Sequence, residues 1–334
     1  MSELLPAAAP KPLPSPRSPG AVAAEVRGLA DNGGLSLPRP GEDTVRRWAA
    51  LAALGRTDLA LARLAEGHVD ALAILAEAGR PAVPGAVYGV WAARSGGTGA
   101  ELGPRGLEGT VRFCSGVSTL DRALVVATTP GGDGSTCRLV DLDLTRPGVV
   151  REPDRWQAIG MDASDSGDVR FDGVEVTPDV LVGPPGWYLD RPGFLLGGGG
   201  VAAVWLGGTA GVLDDVLAVL GAAAKVDEHQ LAHLGAVHTA LRSAEALLAD
   251  AAARVDAAPD ADHATLMSTC RAAAERAAWE TLDRVPRITG PTPLCRDRAF
   301  AQRLADLQVY VRQHHGERDL AALGRAVLAE GTGR

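Results

Sequence analysis

The chain has 334 residues, a net charge of -8, and 46% hydrophobic residues with only 4% aromatics, so a substantial core must be built from Ala, Leu and Val in closely packed helices. The acidic balance argues against a nucleic-acid surface, and no run approaches about 18 uninterrupted apolar residues, so no membrane-spanning helix is expected. Cys114, Cys137, Cys270 and Cys295 lie far apart with no paired spacing, which fits reduced thiols in a cytoplasmic protein.

Residues 1–20, MSELLPAAAPKPLPSPRSPG, carry prolines where a signal peptide needs an apolar core, and read as a flexible tail. Residues 21–80 show helical periodicity in AVAAEVRGLA, DTVRRWAALAALG and DLALARLAEGHVDALAILAEAG, with Asp58 as an N-cap and Gly67 tolerated inside the last segment. From residue 81 to 195 the pattern changes to short Val-rich runs such as RALVVATT and CRLVDLDL. Turns such as TPGGDG and TRPG separate them, which predicts antiparallel β-structure. Gly197–Gly200 are expected to form a tight strand-to-helix turn and to permit close packing. Residues 196–334 are helical again, with breaks near DAAPDAD and RITGPTPLCRD, and give three or four helices of bundle length. Trp205, on the apolar run VAAVWLGG, is expected in the core or at a subunit interface. The order helical, β, helical is α+β by segregation of elements.

The run from Gly160 to Val176, GMDASDSGDVRFDGVEV, alternates apolar and polar residues. Val169, Phe171, Val174 and Val176 carry the apolar side, with a turn signal at Asp172-Gly173, so the run reads locally as a hairpin. As a string it resembles the middle β-domain of acyl-CoA dehydrogenases, a family of FAD-dependent α,β-desaturases. YGVWAARSGGTGAEL, VRFCSGVSTLDRALVVA and ADLQVYVRQHHGERDLAAL extend the resemblance over most of the chain, from about Asp43 onward. It implies a helical N-terminal domain, a central β-domain and a C-terminal four-helix bundle.

In that family a carboxylate removes the α-proton of an acyl thioester while a flavin accepts the β-hydride. The resemblance places Phe113, Cys114 and Ser115 at the flavin, with Phe113 in place of a stacking tryptophan and Ser115 in place of a threonine hydroxyl. The structural reading of the same residues is a core aromatic at a strand end and a turn-capping serine. Ala93 and Ser95 fall in the turn that meets the flavin's pyrimidine edge, where backbone N–H groups of the glycine-rich stretch can serve. Arg94 pairs a phosphate or a substrate carboxylate, or is a solvated turn residue.

The family's two carboxylate positions fall near His314 and Ala210. His314 is then the candidate base, since imidazole titrates near neutrality, and Glu317, expected one helical turn on, is placed to orient it. A solvated His-His pair is the plainer alternative. LAVLGAAAKVDEHQ has no arginine for the FAD pyrophosphate and only Lys225 as a cation. Arg284, Arg287, Arg296 and Arg298 suit phosphates or pair with Asp283 and Asp297. His229 and His233 lie one turn apart, but His238 falls on the opposite face and no further ligand completes a metal set.

The resemblance therefore implies an FAD-dependent oxidoreductase acting on an acyl thioester or similar small molecule, as a homodimer or homotetramer through the C-terminal bundle. Two alternatives stand beside it. One is a flavin monooxygenase on the same fold, whose base need not be a carboxylate. The other is a member that has lost FAD and serves as a binding partner.

Overall fold

The computed structural model describes residues 4–5, 17–129 and 136–332. Three helices come first: α1 (Pro19–Asp31), α2 (Thr44–Thr57) and α3 (Leu59–Glu77). Side chains of Ser18, Asp43 and Asp58 accept the free N–H groups at their starts, as N-caps do. Gly67 lies inside α3.

Eight strands follow: β1 (Tyr88–Trp91), β2 (Gly99–Gly103), β3 (Gly106–Cys114), β4 (Arg122–Thr128), β5 (Arg138–Asp143), β6 (Val149–Glu152), β7 (Gly167–Val174) and β8 (Leu181–Val182). They form one sheet in the order β6-β7-β3-β2-β4-β5-β8, with β1 added on β4. Most pairs are antiparallel, as the short alternating runs predict. The pairs β1–β4 and β2–β4 are parallel, because the chain leaves β1, makes the β2–β3 hairpin and returns in its original direction. The expected turn at TPGGDG lies largely outside the described residues.

The Asp172-Gly173 pair is not a hairpin turn. It lies within β7, where Leu107 pairs Val174 and Gly109 pairs Phe171, so two β7 residues face one of β3. Gly173 has φ of +63°, which makes the pair a bulge rather than a reversal. The same local signal serves both, and the pairing with β3 decides between them.

The helical remainder runs α4 (Trp187–Asp190), α5 (Pro192–Gly221), α6 (Glu228–Ala257), α7 (Ala264–Thr289), α8 (Pro291–Arg296), α9 (Arg298–Tyr310) and α10 (Glu317–Thr332). Gly197–Gly200 lie inside α5, not in a strand-to-helix turn. Their role is packing. A Cβ at Gly199 would stand 2.2 Å from the Trp48 ring, one at Gly207 1.9 Å from the Ala52 carbonyl oxygen, and one at Gly55 2.3 Å from the Val204 carbonyl oxygen. So α2 and α5 touch backbone to backbone. α5 is long and apolar enough to cross a membrane by length and composition, yet 72% of its most apolar stretch is buried inside the protein. It is the central core helix, and Trp205 on it is fully buried.

The expected tail is anchored wherever it is described. Leu4 and Leu5 are buried, and the Leu5 N–H donates to Glu245 Oε1 at 3.0 Å. Arg17 pairs with Asp58 at 2.9 Å and also with Asp306. Residues 1–3 and 6–16 lie outside the described residues.

Gly207→Ala should cost about 2–3 kcal/mol in urea unfolding, because the added carbon meets backbone that cannot swing aside. Gly235→Ala, inside α6 with open space around it, should instead gain about 0.5–1 kcal/mol.

Candidate functional site

The end of β3 carries an unusual backbone. Phe113 has φ of +60°, a region costly for a side chain with a Cβ, and 53% of it is exposed. The following turn is locked by Gly116 N–H to Ser164 O at 2.9 Å and Val117 N–H to Asp165 O at 3.0 Å. The kink turns the Phe113 ring outward and the next two side chains inward. Cys114 faces the core, its Sγ donates to Val111 O at 3.3 Å, and burial raises its thiol pKa far above the ordinary value. It can therefore meet a flavin only through its backbone.

Ser115 is buried and sits in a chain of hydroxyls. Ser164 Oγ donates to Met161 O at 2.7 Å, so it accepts from Ser166 Oγ at 2.8 Å, and Ser166 in turn accepts from Ser115 Oγ at 2.9 Å. Arg63 Nε donates to Ser115 Oγ at 3.1 Å. Each proton points away from Arg63, since a hydroxyl has one to give. Ser164 and Ser166 belong to the GMDASDSG string, whose alternation marked it as structure.

Arg63 lies on α3 and pairs with Glu66 three residues on. Glu66 is buried, and burial pushes its carboxyl up to about 7, against the pull of Arg63 and with the neighbouring Asp70 adding to the rise. Asp70 is held from behind by Arg47 Nη2 at 2.7 Å. Arg63, Glu66 and Asp70 were not singled out from the sequence. Their spacing of three and four on an otherwise apolar helix was the available signal, because it puts three charges on one buried face.

Along the same face of α3, a cavity of about 320 Å³ opens beside Asp70, Ala73 and Glu77, closed by Arg191, Leu196 and the segment Arg39–Glu42. Its walls are already paired, Arg191 with Glu77 at 2.7 Å and Arg39 with Glu42.

The turn after β1 stands beside this wall. Trp91 Nε1 donates to Ser115 O at 3.2 Å, and Gly96 lies against Arg112 of β3. Ala93 is half-buried and Ser95 exposed, with the Ser95 carbonyl accepting from both the N–H and the hydroxyl of Thr98. Arg94 is exposed.

A second group approaches Arg63 and Glu66 from the bundle. Tyr310 ends α9 and its hydroxyl is fully buried, which raises its pKa well above the ordinary value. Its ring lies 6.3 Å from Trp205 of α5, edge-on. Arg271 of α7 stands 4.7 Å over the Trp205 ring and donates to Gly198 O and Gln313 O at 3.2 and 3.3 Å. His314 is buried, and burial holds its pKa below the usual 6.5 against Glu275 and Asp319. At neutral pH it is uncharged.

Glu317 does not stand one helical turn from His314. A 3-10 turn ends at Gln313, Gly316 takes φ of +55°, and Glu317 starts α10 exposed to solvent. Asp319 is the acid on this side, hydrogen-bonded by the His315 N–H at 3.0 Å. Ala210 is buried on α5. Of the arginines near the α7–α8 junction, Arg284 pairs with Glu280 at 2.6 Å and Arg287 with Asp283 at 2.7 Å. His233 contacts Arg284, and no cluster of three metal-ligating groups occurs among the described residues.

No family model matches the chain. Over 105 residues, 31% of this chain and 25% of the relative's length, it is 36% identical to a dibenzothiophene monooxygenase of Mycolicibacterium goodii. The chain thus matches about a quarter of the length of that curated relative. The FMN-bound structure of TdsC, a dibenzothiophene monooxygenase of Paenibacillus sp. A11-2, superposes with a TM-score of 0.74 at 21% identity, covering 93% of this chain and 96% of that one. Methanesulfinate monooxygenase MsuC of Pseudomonas fluorescens superposes with a TM-score of 0.75 at 21% identity, covering 95% and 98%. The fold is thus the one these solved structures share, with the helical, β and helical regions in the same order as the sequence resemblance implies. Within it, Arg63 of α3 links the two sides, donating to Ser115 Oγ and lying beside the Tyr310 hydroxyl.

Because the folded Glu66 holds its proton up to about pH 7 while an unfolded glutamate releases it near 4.5, the folded state binds more protons across that window. The stabilisation is full below about 4.5 and lost as pH rises through about 7. Glu66→Gln should flatten this fall in urea-unfolding stability measured between pH 5 and pH 7.5.

Proposed function

We propose that this chain is a flavin-dependent monooxygenase of small molecules, rather than a dehydrogenase of acyl thioesters. The observation that carries the reading is the fixed hydroxyl of Ser115 on one wall, together with His314 and Ala210 at the positions where the dehydrogenase resemblance requires a carboxylate. Glu66, the buried carboxylate of the region, is committed to Arg63 and cannot turn freely toward an α-proton. The short match to dibenzothiophene monooxygenase and the likeness to two monooxygenase structures support the same choice.

When bound, a reduced flavin supplies the two electrons that divide O2 between substrate and water. The chain's own residues prepare that site. Phe113, turned outward by its backbone, offers an aromatic face for a flat ring. Ser115, which accepts from Arg63 and donates its proton to Ser166, keeps one lone pair for a donor on the ligand, in a rotamer fixed before any ligand arrives. The glycine-rich turn after β1 brings backbone N–H groups and the half-buried Ala93 alongside. Neutral His314 can accept a proton from across the site.

FMN replaces FAD in this reading. FMN is bound in the TdsC structure, and the cations that would meet a second phosphate and an adenosine are spent, Arg284 on Glu280 and Arg287 on Asp283. Self-association through the C-terminal helices, as a dimer or tetramer, belongs to the same proposal. Exposed Leu320, Val327 and Leu328 give α10 an apolar stripe.

The deciding experiment titrates the purified chain with FMN and with FAD and follows visible absorption through gel filtration. Stoichiometric retention of FMN bands with weaker FAD uptake is expected; a chain that stays colourless with both sinks the redox reading. In the same titration Ser115→Ala should weaken FMN binding about tenfold, while Ser115→Thr keeps most of it.

A further inference from the structure

Three buried polar groups on the bundle wall lack a well-formed hydrogen bond: Trp205 Nε1, the Tyr310 hydroxyl, which Arg63 approaches from α3, and His314 Nδ1. Their residues are 0%, 3% and 5% exposed. Buried polar atoms are nearly always satisfied, and leaving one unpaired is expensive, so three in one neighbourhood point to a missing partner.

The neighbourhood is a single one. Trp205 and Tyr310 meet edge-on at 6.3 Å, Arg271 lies 4.7 Å over the Trp205 ring, and Arg271 also bonds the carbonyl of Gln313, the residue before His314. Arg271 makes its two hydrogen bonds to carbonyls and is in no ion pair among the described residues. Burial lowers its pKa from the ordinary value, with Asp319 and Glu66 pulling the other way from a distance.

The chemistry of this set is one-sided. Trp N–H, Tyr O–H and a guanidinium all donate, and neutral His314 can present an N–H in one tautomer. The nearest carboxylate on α3, Glu66, is already held by Arg63. The cluster therefore holds donors and a positive charge, and its natural complement is a group with several acceptor oxygens and a negative charge. Gly198 lies against the Arg271 side chain, where a Cβ would stand at ordinary contact distance, 3.4 Å. Arg271 itself is only partly buried.

We infer that Arg271, Trp205 and Tyr310 bind the oxyanion head of a small organic substrate, a carboxylate, sulfinate or sulfonate, and hold its remainder toward the Ser115 wall. The substrate role rests on the monooxygenase reading above; the anion site itself does not need flavin.

Isothermal titration of the flavin-free protein tests it, with methanesulfonate and acetate as organic oxyanions, phosphate as the inorganic ion and indole as a neutral ring. Saturable one-to-one binding of methanesulfonate or acetate is expected. Arg271→Gln should weaken it at least tenfold, and Tyr310→Phe, which keeps the ring and its packing, about threefold to tenfold; Trp205→Phe should weaken it as well while leaving a small core cavity. An unchanged melting temperature in Tyr310→Phe keeps the result readable if Arg271→Gln unfolds. Binding of indole without the oxyanions, binding indifferent to all three variants, or phosphate bound more tightly than either organic anion would each overturn the inference. Normal FMN uptake with no anion binding would defeat this proposal alone, whereas anion binding without flavin uptake would defeat the redox reading and leave the site.

Discussion

Everything in this molecule is arranged around the close approach of α2 to α5. Where Gly55, Gly199 and Gly207 lie, no Cβ intervenes, and backbone meets backbone or an indole ring. Glycine weakens an isolated helix by about 1 kcal/mol per residue. Here the loss is offset by the contact it makes possible, and a nearly all-aliphatic chain gains a dense core without many aromatic rings. α5 in turn sets the depth of Trp205 and the stance of Arg271 beside Gly198. The bundle side of the candidate site is thus referenced to one glycine-lined helix.

The second organising contact is the pairing of β3 with β7. It brings Ser166 to Ser115 across 51 residues of sequence, and the loop before β7 is then tied to the bundle. The Met161 N–H donates to Asp306 of α9, and Gln302 donates to the Ile159 carbonyl at 3.0 Å. A Cβ at Gly160 would stand 2.0 Å from the Ala305 carbonyl oxygen, so the loop lies directly on α9. Sheet and bundle therefore share a seam, and the hydroxyl chain ends on that seam. A site built on such a seam is held on two sides by rigid elements, as a preorganised site requires.

Much of this was legible in the residues. Asp58 announced the start of α3, Trp205 its burial, and the order of elements the α+β layout. The failures have a common physical cause. Asp172-Gly173 and Gly197–Gly200 look locally like turns, because turn and helix propensities describe what glycine prefers when nothing is packed against it. The neighbours on β3 and α2 overrode that preference. Arg63, Glu66 and Asp70 passed unnoticed because charges on a helix are usually solvated, and only the packing of α9 and α5 over them makes the difference. Glu317 was expected to continue a helix that Gly316 interrupts. FAD was implied by the resemblance alone.

The bond from the Leu5 N–H to Glu245 joins positions 240 residues apart, and Arg17 likewise reaches Asp306. Contacts of such long range form late, since most of the loop between them must first be ordered. During synthesis the first residues leave the ribosome well before α6 or α9 exists to receive them. Leu4 and Leu5 then stay unburied apolar groups until the bundle that receives them is made.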